Sequence, residues 1–190
     1  MAKKEDNRVV KTKAKLVATF KELLATKSFE DITVNELCTV ADIRRATFYK
    51  HFNDKYEFLR YLVGSLRDDF DKRLRRGTYS MAGMSYYVEY LKALVNFLLE
   101  NEAMVNNLLE SSVLYTLLEV ITEKNYEDTC KKLAESVALG MTLPASIEVT
   151  ASMMTGAVAN TILAWYKSGK AMTKEELISE MSSVICRIIN

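Results

Sequence analysis

The chain has 190 residues, enough to bury a core without disulfide or metal staples. Its 6 glycines and single proline are too few for the turn that a sandwich or barrel needs about every 8–12 residues, so the composition excludes those folds and predicts helices joined by short polar connections. The net charge of +1 conceals an uneven distribution: residues 1–60 carry 13 Lys/Arg against 9 Asp/Glu and the remainder 13 against 16, which fits an anionic partner at the N-terminal end or, equally, a solvated basic face.

The N-terminal stretch MAKKEDNRVVKTKAK lacks the apolar core of a signal peptide. Lys11–Lys27 reads as a first helix, with Leu16, Phe20 and Leu23/Leu24 at helical spacing. Phe29 and Ile32 anchor a short connection. Thr33 with Glu36 three residues on is a capping-box pattern, and starts a short second helix ending near Val40. Ala41-Asp42-Ile43 is a tight turn, and Arg44–His51 a third helix of two turns that its neighbours must hold. Asn53-Asp54 caps a long fourth helix to about Arg75, with Tyr56, Leu59, Leu62/Val63, Leu66 and Phe70 as its apolar stripe. Further helices are expected at Met84–Glu100, Glu102–Val120, Tyr126–Gly140, Pro144–Lys167 (the proline in the first turn) and Thr173–Ile189, the last opened by a second capping-box pattern at Thr173 and Glu176.

The expected fold is therefore all-α with about nine helices. Residues 1–53 are expected to form a three-helix helix-turn-helix domain, and the fourth helix to join it to a second helical domain, residues 54–190. No internal repeat is visible. Val149–Tyr166 is the longest uncharged run, at 18 residues; its Thr150, Ser152, Thr155, Asn160 and Thr161 make it a poor membrane span, so a helix packed among helices and no membrane partner are expected.

Two short helices across a three-residue turn, preceded by a third, have helix-turn-helix geometry, whose second helix enters the DNA major groove. In Arg44–Phe52, Phe48 and Phe52 share an inward face. Arg45, Ala46, Thr47, Tyr49 and Lys50 then point outward. Arg and Lys can bond guanine edges or phosphate, and the Thr and Ala methyls can touch thymine. Tyr49 and His51 suit phosphate contacts, which position without reading sequence. An enzyme has little support: His51 is the only histidine, Cys38, Cys130 and Cys186 lie far apart, and neither a Gly-rich phosphate loop nor a set of zinc ligands is present, so no metal or cofactor is expected. Three reduced thiols fit a cytoplasmic protein.

The pattern Phe29-x-x-Ile32-Thr33-Val34-x-x-Leu37-x-x-x-Ala41-x-Ile43-x-Arg45-Ala46-Thr47-Phe48-Tyr49-x-His51-Phe52-x-x-Lys55-x-x-x-Leu59 resembles the DNA-binding domain of TetR-type transcriptional regulators over about residues 10–60. The resemblance implies phosphate contacts from Thr33, Tyr49, His51 and Lys55, and base-facing roles for Arg45, Ala46, Thr47 and Lys50. Two positions depart from the family's pattern: Asp42 stands where glycine is frequent, and Arg44 where serine or asparagine usually caps the recognition helix. Either the helix starts differently or Arg44 itself contacts DNA.

Leu143 through Gly169, followed by Thr173–Ile189, is similar to the last two helices of a TetR subgroup related to the dihydroxyacetone-kinase operon activator. The family's four-helix dimer interface implies a homodimer, here with Ile147, Met154, Ala157, Val158 and Trp165 in the interface. Met84, Tyr87, Leu91, Met104, Leu108, Tyr115, Met153 and Trp165 are candidates to line an effector pocket, although such Met and Tyr stripes are more often core. The expected function is a sequence-specific regulator, dimeric on a palindromic site in double-stranded DNA and controlled by a small-molecule effector. The alternative is a family relative acting as activator or adaptor through a protein partner.

Overall fold

The computed structural model describes residues 7–78 and 84–188, the side chains of 75–78 and 84 excepted. Among the described residues it is all-α: α1 (Asn7–Leu24), α2 (Val34–Val40), α3 (Arg45–Tyr49), α4 (Lys55–Thr78), α5 (Met84–Glu100), α6 (Glu102–Leu109), α7 (Leu114–Ala138), α8 (Ile147–Lys167) and α9 (Lys174–Ile188). These residues form two compact units. The first holds residues 7–68 and 101–117, and the second 69–78, 84–100 and 118–188. Both α4 and α7 run from one set of residues into the other.

The first unit is built around phenylalanine. Phe58 of α4 is fully buried and lies 5.2 Å from Phe20 of α1, 5.6 Å from Phe48 of α3 and 4.8 Å from Phe52, centroid to centroid. Leu16, Leu24, Phe29, Ile32, Leu37 and Ala41 close the same core, joined by Met104, Val113 and Leu117. At five residues α3 is too short to be stable alone, and Phe48 is what fixes it. On α4 the inward stripe is Phe58, Leu59 and Leu62. The expected Tyr56 instead lies exposed, edge-on to Phe29 at 5.2 Å. Leu59, Leu62 and Phe70 are buried as expected, so only the first member of the stripe changes, and the expected cap forms, the Asp54 carboxylate accepting from the Glu57 amide at 2.7 Å.

In the second unit α5 packs chiefly on α9, and α8 on α9. Tyr87, Leu91 and Val95 of α5 and Leu177, Met181 and Ile185 of α9 are buried there. The α8–α9 corner is a Schellman motif: Gly169 has φ +68°, and the amides of Gly169 and Lys170 donate to the Tyr166 and Trp165 carbonyls at 3.0 and 2.8 Å. Trp165 is buried beneath it, its indole N–H donating to the Met172 carbonyl at 2.8 Å. The Thr173 box is reciprocal: the Glu176 amide donates to Thr173 Oγ1 at 3.2 Å, and the Glu176 carboxylate accepts from the Thr173 amide at 2.8 Å.

Boundaries move at two places in the later helices, and one capping box is only half made. The break expected after Val120 lies at Glu110–Val113, where Ser111 Oγ donates to the Leu108 carbonyl at 2.7 Å and competes with the helix ladder. Helix α7 then runs unbroken through 121–125, which hold neither glycine nor proline. Pro144 lies before α8, because Ser146 is the cap, its hydroxyl accepting from the Val149 amide at 3.3 Å. Finally, only half of the Thr33 box forms. Thr33 Oγ1 accepts from the Glu36 amide at 3.1 Å, but the Glu36 carboxylate turns to Lys27.

Candidate nucleic-acid interface

The turn between α2 and α3 puts a non-glycine residue where glycine is easiest. Asp42 has φ +48°; its amide donates to the Thr39 carbonyl at 3.1 Å, and the following Ile43 amide to the Cys38 carbonyl at 2.9 Å. Aspartate tolerates this left-handed conformation, so the turn closes without glycine. The Asp42 carboxylate is exposed and faces the Lys15 ammonium of α1 at 3.5 Å. The pair contributes little to stability, yet it offsets a negative charge beside the recognition helix. Sequence reasoning passed over Lys15, whose nearness depends on packing across 27 residues.

Arg44 is the residue before α3, with extended backbone (ψ 136°) and no side-chain cap. Its carbonyl takes the first helical bonds, from Thr47 at 2.8 Å and Phe48 at 3.3 Å. The guanidinium is therefore not used as a cap, which settles where the helix starts. Arg44, Arg45, Ala46, Tyr49 and Lys50 are exposed together on α3 and its flanks, and Thr33 is exposed at the start of α2; Thr47 and His51 are half-buried. The Arg45 guanidinium lies 5.8 Å from the Tyr49 ring centroid, one helical turn on. The face thus combines cationic groups with a small residue, Ala46, that permits close approach to a groove floor.

Lys55 is placed otherwise than expected. Its ammonium donates to the carbonyls of Phe29 at 3.0 Å, Glu30 at 3.0 Å and Ile32 at 3.1 Å, and lies 4.6 Å from the Phe29 ring centroid. An ammonium has three donors. All are spent on the α1–α2 connection, so the arrangement leaves none for a phosphate oxygen. Cys38 is buried, and burial pushes its thiol pKa up, the opposite of what a nucleophile needs.

The remaining expected site residues are divided between the two units. Met84 opens α5, and its side chain lies outside the described residues. Met104 and Leu108 belong to the first unit's core. Tyr115 is 76% exposed and Met153 62% exposed, while Tyr87 and Leu91 are buried in the second unit. Burial pushes the Tyr87 phenol up to about 12, and it faces Ser136 without a well-formed hydrogen bond. Of the expected interface set, Met154 and Trp165 are buried inside the chain, Ile147 and Val158 are half-buried, and Ala157 is exposed. The open stripe of α8 keeps Ala157 and otherwise consists of Val149, Met153, Asn160 and Ala164, at helical spacing. Asn160 bonds its own helix, donating to the Gly156 carbonyl at 3.0 Å.

The family description "Bacterial regulatory proteins, tetR family" matches residues 16–62, and "Transcriptional regulator C-terminal region" matches residues 87–186. Over 62 residues the chain is 39% identical to the uncharacterized HTH-type transcriptional regulator YxbF of Bacillus subtilis, a stretch that is 32% of this chain and 16% of that protein. A TetR-family transcriptional regulator from Syntrophomonas wolfei shares the fold with a TM-score of 0.75 at 16% identity, over 92% of this chain and 93% of that one. The dihydroxyacetone kinase operon activator DhaS does so with a TM-score of 0.64 at 17% identity, over 94% and 98%. The family's members are transcriptional regulators and not enzymes. With the C-terminal description alone spanning more than half of the residues, this chain belongs to the TetR family of bacterial regulatory proteins.

Proposed function

We propose that this TetR-family regulator binds a palindromic operator as a homodimer in the cytoplasm and releases it on binding an uncharged small molecule. The observation that carries the DNA-binding part is the exposed face of α3: Arg44, Arg45, Ala46, Tyr49 and Lys50 stand open on a helix whose other side is locked by Phe48. Arg45 and Lys50 read bases, Tyr49 and Thr33 hold phosphates, and Arg44 does either.

The homodimer is supported by α8. By length and composition this helix is apolar enough to cross a membrane, yet only 22% of its most apolar stretch is buried within the chain. An apolar stripe of that size needs a cover, and a second copy supplies the same face. Val184 of α9, also exposed, adds to it. The effector part is supported by the interior of the second unit. The hydroxyls of Tyr87, Thr150 and Ser182 are buried without a hydrogen-bond partner among the described residues, and no charged side chain is fully buried there. An unmade hydrogen bond at a buried hydroxyl costs about 1–3 kcal/mol, which a neutral ligand with polar groups would recover.

A gel shift with the DNA upstream of the protein's own gene tests the reading. Retardation that survives excess non-specific DNA, and is reversed by a neutral metabolite, is the expected result. Binding no tighter to this DNA than to competitor would overturn the operator reading. Retardation that no small molecule reverses, but a protein partner does, would favour an adaptor.

A further inference from the structure

The α1–α2 connection, residues 25–33, makes polar ties to two other parts of the first unit. To α4 it is tied by Lys55, through the carbonyls of Phe29, Glu30 and Ile32. To the segment around α6 it is tied near both ends: Asn107 Nδ2 donates to the Leu24 carbonyl at 2.7 Å, and Ser112 donates twice to Glu30 Oε1, from its amide at 2.8 Å and its hydroxyl at 2.5 Å. Glu30 and Ser112 are 82 residues apart in sequence. Ser112 stands two residues before α7, a helix that continues into the second unit. Glu30 therefore bridges two helices that matter for control: its carboxylate holds the start of α7 through Ser112, and its carbonyl holds the start of α4 through Lys55. Thr33, the cap of α2 and a proposed phosphate contact, closes the same connection three residues on.

We propose that Glu30 and Ser112 are positioning residues for operator binding, forming a latch that ties the α1–α2 connection to the head of α7. A displacement of α7 then reaches Thr33, at the start of α2, through Glu30 and the α1–α2 connection, without passing through the recognition helix. The latch suits a signal better than a staple. Glu30 is exposed, so its loss removes little buried area and little stability. Its two hydrogen bonds are nevertheless charge-assisted and converge on one oxygen, which makes them directional. The same hydroxyl and amide of Ser112 hold the Glu30 carboxyl below the usual carboxylate range, so the carboxylate stays ionised near neutral pH.

The inference rests on the operator-binding reading, and its test keeps the two apart. Full-length Glu30→Ala, Ser112→Ala, the double variant and the conservative Glu30→Gln and Ser112→Thr are compared for operator affinity, melting temperature and amide hydrogen exchange. Each single alanine variant is expected to lose about 5- to 10-fold in operator affinity, the low end of coupling between linked sites. Melting temperature should hold, exchange at 25–33 should quicken, and the double variant should be no worse than either single. Gln keeps one acceptor and Thr keeps the hydroxyl, so both should restore most of the loss. Unchanged operator affinity in both alanine variants would overturn the latch alone. So would unchanged exchange at 25–33, a measurement that needs no DNA. Wild-type protein that binds no DNA would overturn the operator reading and the latch's role in it.

Discussion

The two units bury themselves in different ways. In the first, three phenylalanines meet around Phe58, and polar groups fasten each connection: Thr33 on Glu36, Lys55 on three carbonyls, Ser112 on Glu30. What remains outside is a polar, cationic face on α3. In the second, no single ring is the hub: aliphatic and methionine side chains share the packing with separate aromatic pairs such as Phe70 on Tyr90 and Trp165 on Tyr166, and what remains outside includes the apolar stripe of α8. On the proposed reading, the first unit is complete as a single chain and meets a charged partner, and the second exposes an apolar face that a second copy covers. The difference teaches that one domain's function is carried by what its core pushes outward, and the other's by what its core fails to cover.

Phe58→Ala strikes the first unit at its centre and should have the largest effect. Removing a fully buried phenylalanine costs about 3–5 kcal/mol, so the first unit should melt well before the second. Hydrogen exchange at α1–α3 would report it; a uniform loss across α8 and α9 as well would mean that the units do not unfold separately. Next comes the second unit's outer face. Ala157→Glu places a charge in the middle of the α8 stripe and should yield folded monomers by light scattering with unchanged helix content. A dimeric Ala157→Glu would put the interface elsewhere.

A smaller effect is expected at Lys55. Hydrogen bonds to a charged group are worth about 1.5–3 kcal/mol, so Lys55→Met should lower the first unit's stability while leaving the salt dependence of operator binding as it was. A slope reduced by about 1 per subunit would return the ammonium to a phosphate. The smallest effect is at the cap of α9. Thr173→Ala should cost about 1 kcal/mol. The Thr173 amide and hydroxyl hold the Glu176 carboxyl below its usual range. The carboxylate's half of the cap is therefore present above the ordinary carboxylate pKa and is lost as pH falls through the lowered one. Melting curves of wild type and Glu176→Gln should converge at acid pH; a gap that widens on acidification would contradict the assignment.

Much of the first unit was legible because its signals are local. The capping residues, the turn at Asp42 and the inward spacing of Phe48 and Phe52 all follow from neighbours within a few positions. Lys55, Lys15 and the Glu30–Ser112 tie were not legible, because each depends on a partner at least 23 residues away. In the second unit, periodicity showed that α8 is apolar but not which side a partner covers. Met154 and Trp165, read as interface, are core, and apart from Ala157 the open stripe lies on other positions of the same helix. The break at Glu110–Val113 escaped notice because Ser111 and Ser112 end helices only where their hydroxyls find a carbonyl or carboxylate.

The central claim is that α3 reads DNA sequence as one half of a symmetric pair. Selection of bound sequences from a random double-stranded pool, with wild type and Lys50→Ala in parallel, tests it most directly. The account predicts that wild type enriches a palindrome whose half-sites lie about one helical turn, roughly 34 Å, apart. Lys50→Ala should enrich a palindrome of the same spacing with a relaxed preference at one position in each half-site, since a good base contact is worth about 1–3 kcal/mol of discrimination. A pool that shows no sequence enrichment with wild type, or an identical palindrome with Lys50→Ala, would contradict it.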